Sequence, residues 1–275
     1  MTLAAQDVEF LRELVARNSG NQLDSCHDYL FESRLQHLVR AQGFSSVAGL
    51  VAALRLAQPS SLERSVAEAM TINETSFFRE PAAFDLLRDV LLPALLVRRR
   101  DARALRFWSA ACSSGQEAYS LAMLLGAHFP QLASWSIDIL GTDLSAGMIA
   151  RAAAGRYSRM EIDRGLSPDL ISKYLAPAGD EWEVSPALRS LCRFQRRNLC
   201  SSPPLPRACD VIFLRNLLLY FPPATRNRVL RVIHRSLAPD GILFLGASEQ
   251  LPNDSQHWKA MLAPKAVWYC PLPCR

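Results

Sequence analysis

The chain has 275 residues, 49% hydrophobic and 21% charged, with a net charge of +5. This is ordinary globular composition with room for one large or two small domains, and no apolar run approaches the roughly 20 residues of a membrane-spanning helix. The basic surplus is too small, and too poor in interleaved aromatics, to argue for a nucleic-acid partner.

Seven cysteines include no Cys-x-x-Cys pair, and no histidine lies at a zinc-ligand spacing. Free thiols in a reducing cytoplasm and no bound metal are therefore expected. The N-terminus lacks a basic segment followed by an apolar run, so no secretory leader and a cytoplasmic location are expected.

Residues 1–70 show no strand-like alternation. Leu11, Leu14 and Val15 recur at helical spacing, as do Leu30, Leu35 and Leu38, and then Leu50, Val51 and Leu54. Gly20, Gly43 and the Pro59-Ser60-Ser61 cluster punctuate these runs. The pattern predicts four short helices, with Ser60 or Ser61 capping the last.

Residues 71–80 read Thr-Ile-Asn-Glu-Thr-Ser-Phe-Phe-Arg-Glu. Adjacent Phe77 and Phe78 among Asn73, Thr75 and Arg79 suit neither an exposed connector nor a core helix. They suit a pocket wall, where aromatics exclude water and polar groups face a ligand. Pro81 then opens a helix with Phe84, Leu87, Val90 and Leu91 on one side. Arginines 98–100 suit its C-terminus, where the helix dipole favours cations.

From there strands and helices alternate. Strands are predicted at Leu105–Ala110, Ser136–Gly141, Cys209–Leu214 and Gly241–Leu245. Helices are predicted at Gln116–Phe129, Ala146–Ala154 and Pro223–Leu237. Such alternation implies an α/β fold with a parallel sheet covered on both faces, whose ligand lies outside the carboxyl ends of the strands. Residues 156–197, around Pro168, Pro177 and Pro186, break the alternation and have the size of a small inserted subdomain.

The strand ends carry the polar residues. After the first strand comes Ala-Ala-Cys-Ser-Ser-Gly-Gln-Glu, residues 110–117, a small-residue loop entering a helix. Such a loop admits a ligand close to the backbone and to helix N–H groups, or is simply a tight turn. The second strand leads to Asp143, placed to accept ribose hydroxyls or to cap the next helix. Asp138 lies within that strand. Gln195-Arg196-Arg197-Asn198-Leu199 should end the strand that precedes Cys209–Leu214, and there Asn198 either reads an adenine edge or belongs to a turn. Arg215, Asn216 and Tyr220 emerge after the Cys209–Leu214 strand, and Phe221 reads as core.

Taken in order, Asn73-x-Thr75-x3-Arg79, Ser113-x-Gly115-x-Glu117, Asp143, Asn198-Leu199, Arg215-Asn216-x3-Tyr220-Phe221 and a final Gly246-Ala247-Ser248-Glu249 resemble the chemotaxis-receptor glutamate methyltransferases (the CheR-type enzymes) over nearly the whole chain. The resemblance implies a Rossmann-like S-adenosylmethionine-dependent methyltransferase sheet with an N-terminal all-helical domain and a small inserted β-subdomain. It implies a receptor-recognition domain at 1–70, the motif and a helix at 71–100, and a methyltransferase domain at 101–275 with the insert at 156–197. S-adenosylmethionine would be held by Asn73, Thr75, Arg79, Glu117, Asp143, Asn198, Leu199, Arg215 and Asn216, and S-adenosylhomocysteine would be released.

Arg79 and Tyr220 are the catalytic candidates, with Arg79 gripping the acceptor carboxylate. Methyl-ester formation on receptor glutamates, tuning receptor adaptation, is the implied function. The partner would be the cytoplasmic signalling domain of methyl-accepting receptors, met by a monomer without nucleic acid or direct membrane insertion. Arg34, His37 and Arg40 would offer a basic face to an acidic helical bundle, or form a solvated face. The stretch 176–184 looks short for docking a receptor's C-terminal peptide by strand addition. Cys112 and Leu214 depart from the family pattern at apolar-tolerant positions. A receptor-binding adaptor without turnover, or a methyltransferase with another acceptor, are the alternatives.

Overall fold

The computed structural model describes residues 3–56, 61–251 and 256–273. Pro59, Ser60 and Cys274, which figured in the expectations above, lie outside the described residues. The chain divides into two units, Met1–Ile72 with Tyr220–Arg228, and Asn73–Leu219 with Val229–Arg275. The first boundary falls inside the polar-aromatic motif.

The first unit contains helices α1 (Ala5–Ser19), α2 (Tyr29–Ala41), α3 (Val47–Leu56) and α4 (Ser61–Ala69). Each buries one apolar stripe. Leu11, Leu14 and Val15 of α1 pack with Leu50, Val51 and Leu54 of α3 in one core. The buried stripe of α2 is Phe31, Leu35 and Val39, one position round from the expected Leu30, Leu35 and Leu38. Leu30 and Leu38 flank it as half-buried neighbours, since Phe31, Leu35 and Val39 at i, i+4 and i+8 lie along one helix face. α1 stops at Gly20, whose φ of +81° makes the left-handed cap that returns its N–H to Ala16.

The second unit begins with α5 (Pro81–Leu86), continues through one wider turn at Leu87–Leu91, and resumes as α6 (Leu92–Arg98). The single expected helix is thus widened in its middle. Pro93 has no N–H to donate to the preceding turn, and a local i→i+5 pattern relieves the mismatch.

Then come β1 (Ala104–Ala110), α7 (Gln116–His128), β2 (Ser136–Asp143), α8 (Ala146–Ala154), β3 (Arg156–Tyr157), α9 (Arg159–Asp163), α10 (Pro168–Tyr174), β4 (Leu175–Ala178), β5 (Glu181–Val184) and α11 (Pro186–Arg189). They are followed by β6 (Cys192–Arg196), β7 (Cys209–Leu214), α12 (Pro223–Ser236), β8 (Leu237–Leu245), β9 (Trp258–Ala263) and β10 (Ala266–Pro271).

Seven strands form the main sheet in the order β6-β2-β1-β7-β8-β10-β9. The first five run parallel, and β10 is antiparallel to both β8 and β9. All six side chains of β7 are buried, as expected of a strand covered on both faces. Phe107, Phe213 and Phe244 from β1, β7 and β8 join Phe84, Leu87 and Leu95 in the core.

Three elements differ from the sequence expectation. The expected insert at 156–197 holds a small three-stranded sheet, β3-β5-β4, but Cys192–Arg196 leaves it and pairs with β2 as the outer strand of the main sheet. β8 starts at Leu237 rather than Gly241, because Leu237 already pairs with Cys209 across a bulge. The β9–β10 hairpin carries no strong turn dipeptide and was not expected at all.

Candidate active site

Backbone strain marks one end of the main sheet. Six non-glycine residues have positive φ among the described residues. Five of them are Phe78 (46°), Glu80 (54°), Ala111 (68°), Ser113 (49°) and Asn216 (55°), in the 71–80 motif and in the loops that follow β1 and β7. Each such residue costs about 1–3 kcal/mol unless its surroundings hold it, and such residues cluster at functional sites.

The loop after β1 is held from two sides. Asp143, at the end of β2 and 8% exposed, accepts hydrogen bonds from Ser113 N at 2.8 Å and Ser145 N at 2.9 Å. Ser113 Oγ donates to the Asn73 carbonyl at 2.8 Å. The cap of α8 is Ser145, which accepts from Met148 N, so Asp143 is not the helix cap. It is a buried carboxylate at a strand end, and a carboxylate offers about four lone-pair positions to share between backbone and ligand. Asp138, by contrast, is spent on a bidentate pair with Arg193 across β2 and β6.

Gly115 follows at φ +94°. A Cβ there would stand 2.8 Å from Ala152 Cβ and 3.2 Å from the Tyr157 hydroxyl, so the turn requires glycine.

Arg215, leaving β7, is the centre of the cluster. Its side chain is 2% exposed and lies between two carboxylates, Glu80 at 2.9 Å and Glu117 at 3.1 Å. It also donates to the Arg79 carbonyl at 2.5 Å. Ser109 Oγ donates to the other Glu117 oxygen at 2.6 Å. Glu80 further accepts from Asn216 Nδ2 at 3.1 Å and Ala247 N at 2.9 Å. Burial pushes the Glu80 carboxyl up, but the hydrogen bonds from Arg215, Asn216 and Ala247, with the Arg215 charge, outweigh it and leave it below its ordinary range.

The remaining expected residues are placed as follows. Arg79 is half-buried and donates to the Glu74 carbonyl at 2.8 Å. Asn73 and Thr75 are half-buried beside it in the chain. Asn198 Oδ1 accepts from Cys200 N at 2.9 Å, a turn-forming bond. It follows β6, where Arg197 N bonds the Asp143 carbonyl at 2.8 Å. Leu199 is buried. Tyr220 ends a short 3-10 turn, Leu218–Tyr220, and its carbonyl accepts from Gln22 N within the helical unit.

Phe77 is core rather than pocket wall, edge-on to Tyr157 at 5.0 Å. Phe78 is half-buried against Phe84 and lines a cavity of about 250 Å³. Cys112 is buried, and burial pushes its thiol well above the ordinary range. Leu214 is buried opposite Leu245. The two departures from the family pattern therefore sit in the core.

Two residues that organise this cluster, Glu80 and Glu249, were not among the sequence candidates, although both stand in motifs that were noticed.

Comparison with known proteins matches the model "CheR methyltransferase, SAM binding domain" to residues 73–267, and "CheR methyltransferase, all-alpha domain" to residues 6–71. The chain belongs to the CheR methyltransferase family. It is 38% identical over 274 residues to chemotaxis protein methyltransferase 1 of Pseudomonas aeruginosa, covering 98% of this chain and 99% of that one. It is 35% identical to chemotaxis protein methyltransferase Cher2 of Pseudomonas putida with the same coverage. It is 36% identical to a chemotaxis protein methyltransferase of Vibrio parahaemolyticus, covering 98% of each chain.

This CheR-family chain is thus an S-adenosylmethionine-dependent methyltransferase with a Rossmann-like catalytic sheet and an all-helical N-terminal domain. Its cluster fits that cofactor. Glu80, Glu117 and Asp143 exceed the charge of Arg215 and suit a sulfonium and an ammonium group. Arg215 Nε is a buried donor without a partner among the described residues, suited to a ligand acceptor.

Proposed function

We propose that the enzyme forms methyl esters on glutamate side chains in the cytoplasmic signalling domain of chemotaxis-type receptors. Likeness over the full length to proteins named chemotaxis protein methyltransferases supports this reading. The observation that carries it chemically is the state of the carboxylates around Arg215. Glu80 is held ionised by its partners, and an acid with a depressed pKa is a poor general base. A glutamate acceptor, with an ordinary pKa near ~4.3, is already a carboxylate at neutral pH and needs none.

The bound cofactor supplies an electrophilic methyl group on a sulfonium. The protein's residues supply binding and alignment. Asp143 and Asn198 flank the space beyond β2 and β6 and would hold the nucleoside, with Leu199 packing beside it. Glu117, Arg215 and Asn216, with Asn73 and Thr75, would hold the amino-acid portion. Arg79 would grip the acceptor carboxylate through its guanidinium fork, and Tyr220 would orient the acceptor. Alignment of this kind lowers a barrier by about 7–11 kcal/mol.

Receptor docking is assigned to the helical unit. Arg34 is removed from the expected basic face, since it donates to the Met70 and Thr71 carbonyls at the end of α4. His37 and Arg40 remain exposed on α2 and would meet an acidic helix. The outer strands of the small sheet are β3, with two residues, and β4, whose Pro177 has no N–H. Both features favour docking without strand addition.

The test is to incubate the enzyme with S-adenosylmethionine and a purified receptor signalling fragment, then map the methyl group by peptide mass spectrometry. Modification of glutamate supports the reading. Modification confined to another residue type overturns it.

A further inference from the structure

The turn Gly246–Glu249, which follows β8, has no part in the chemistry above, yet it is hydrogen-bonded to the cluster through Glu249 and Ala247. The Glu249 residue is 7% exposed. Its Oε2 accepts from Asn216 N at 2.7 Å and Gly246 N at 2.9 Å. Its Oε1 accepts from Leu217 N at 2.8 Å and Leu219 N at 3.3 Å. One carboxylate therefore collects four backbone donors, three of them from the segment that leaves β7.

Asn216 is the residue most affected. Its φ of 55° is unfavourable for a side chain. Glu249 fixes its backbone N–H, and Glu80 fixes its side-chain amide. Gly246 lets the two strand ends approach. A Cβ there would stand 2.7 Å from Asn216 Nδ2, 2.9 Å from Asn216 N and 2.9 Å from Glu249 Oε2.

We propose that Glu249, with Gly246, is a positioning residue for cofactor binding: it holds Asn216 in its strained conformation before the cofactor arrives. The inference rests on the reading that Asn216 contacts S-adenosylmethionine. A loop ordered in advance does not lose conformational freedom on binding, and that saving appears as affinity. Glu249→Gln replaces one acceptor oxygen with an NH2 group that faces N–H donors whichever way the amide turns. Gly246→Ala leaves the carboxylate and drives a methyl group between it and Asn216.

The experiment is calorimetric titration of wild type, Asn216→Ala, Glu249→Gln and Gly246→Ala with S-adenosylhomocysteine, at a temperature where thermal unfolding shows each to be folded. The expected result is an increase in Kd of about tenfold or more in all three variants, from donors left unpaired or displaced. A merely structural role would lower Tm and leave Kd unchanged. An unchanged Kd in Glu249→Gln and Gly246→Ala, alongside weakened binding in Asn216→Ala, overturns the positioning role. An unchanged Kd in Asn216→Ala overturns the cofactor contact instead. If Glu249→Gln does not fold, Gly246→Ala decides the question.

Discussion

Arg215 Nη2 lies 2.9 Å from Glu80 Oε2, joining the end of β7 to a residue 135 positions earlier in the chain. The pair anchors the 71–80 motif to the sheet, and removing one partner of a buried ion pair is strongly destabilising because the other charge is left uncompensated.

Replacing Glu80 with Gln should cost about 1–3 kcal/mol of stability, since a buried charged donor loses its counter-charge. It should also weaken cofactor binding. The pH dependence follows from the depressed Glu80 carboxyl. A carboxylate lowered on folding contributes stability that is present above its unfolded pKa, here near the ordinary 4.5, and is lost as pH falls through the lower folded value. The stability gap between wild type and Glu80→Gln should therefore be constant near neutrality and shrink below pH 4.5. Urea unfolding at a series of pH values checks this; a gap that widens in acid contradicts it.

Arg79→Ala and Tyr220→Phe should reduce turnover by more than they weaken cofactor binding. Tyr220 is assigned to the acceptor, and Arg79, although also expected among the cofactor contacts, is assigned the acceptor carboxylate, so the larger loss belongs in kcat. Steady-state kinetics beside calorimetric Kd values separate the two. Equal losses in both would remove the catalytic assignments.

Gly115→Ala should destabilise the fold by about 1–3 kcal/mol, because alanine is strained at positive φ. Its methyl would also meet Ala152 at 2.8 Å. The loop carrying Ser113 would shift, and with it the Asp143 hydrogen bond, so cofactor affinity should fall too. Thermal unfolding and titration read both effects, and retention of both would mean that the loop relaxes freely.

The buried thiols should be inert. Burial pushes Cys112 well above the ordinary range, and Cys192 and Cys209 up to about 12, while Cys26 is exposed. Only thiolates alkylate at a useful rate. Iodoacetamide at neutral pH should therefore modify Cys26 before Cys112, Cys192 or Cys209, as read by peptide mass spectrometry. Early modification of Cys112 would contradict its placement in the core.

The strand ends were legible in the sequence where a short apolar run stopped at a polar residue. Asp143 and Arg215 stood out in this way, and the order of motifs pointed to one family. A strand ending at Gln195–Leu199 was legible, but its place in the main sheet was not, since an outer strand reading Cys-Arg-Phe-Gln-Arg could not be separated from the insert by composition. Glu80 and Glu249 were hidden for a different reason. Apart from Gly246 N, their partners are a buried arginine, the Asn216 amide and backbone N–H groups 30 to 167 residues away, and no local pattern reports such partners. Phe77 misled because adjacent aromatics looked like a pocket wall, whereas the positive φ at Phe78 turns one ring into the core and leaves the other half-buried.

The most direct measurement is incubation of the wild-type protein with methyl-labelled S-adenosylmethionine and receptor-containing membranes, followed by base treatment and collection of volatile label. The expected result is label on a receptor-sized band that base releases as methanol, the signature of a carboxyl methyl ester. Base-stable label, or no label across several receptors from an enzyme that binds its cofactor, would contradict glutamate methylation.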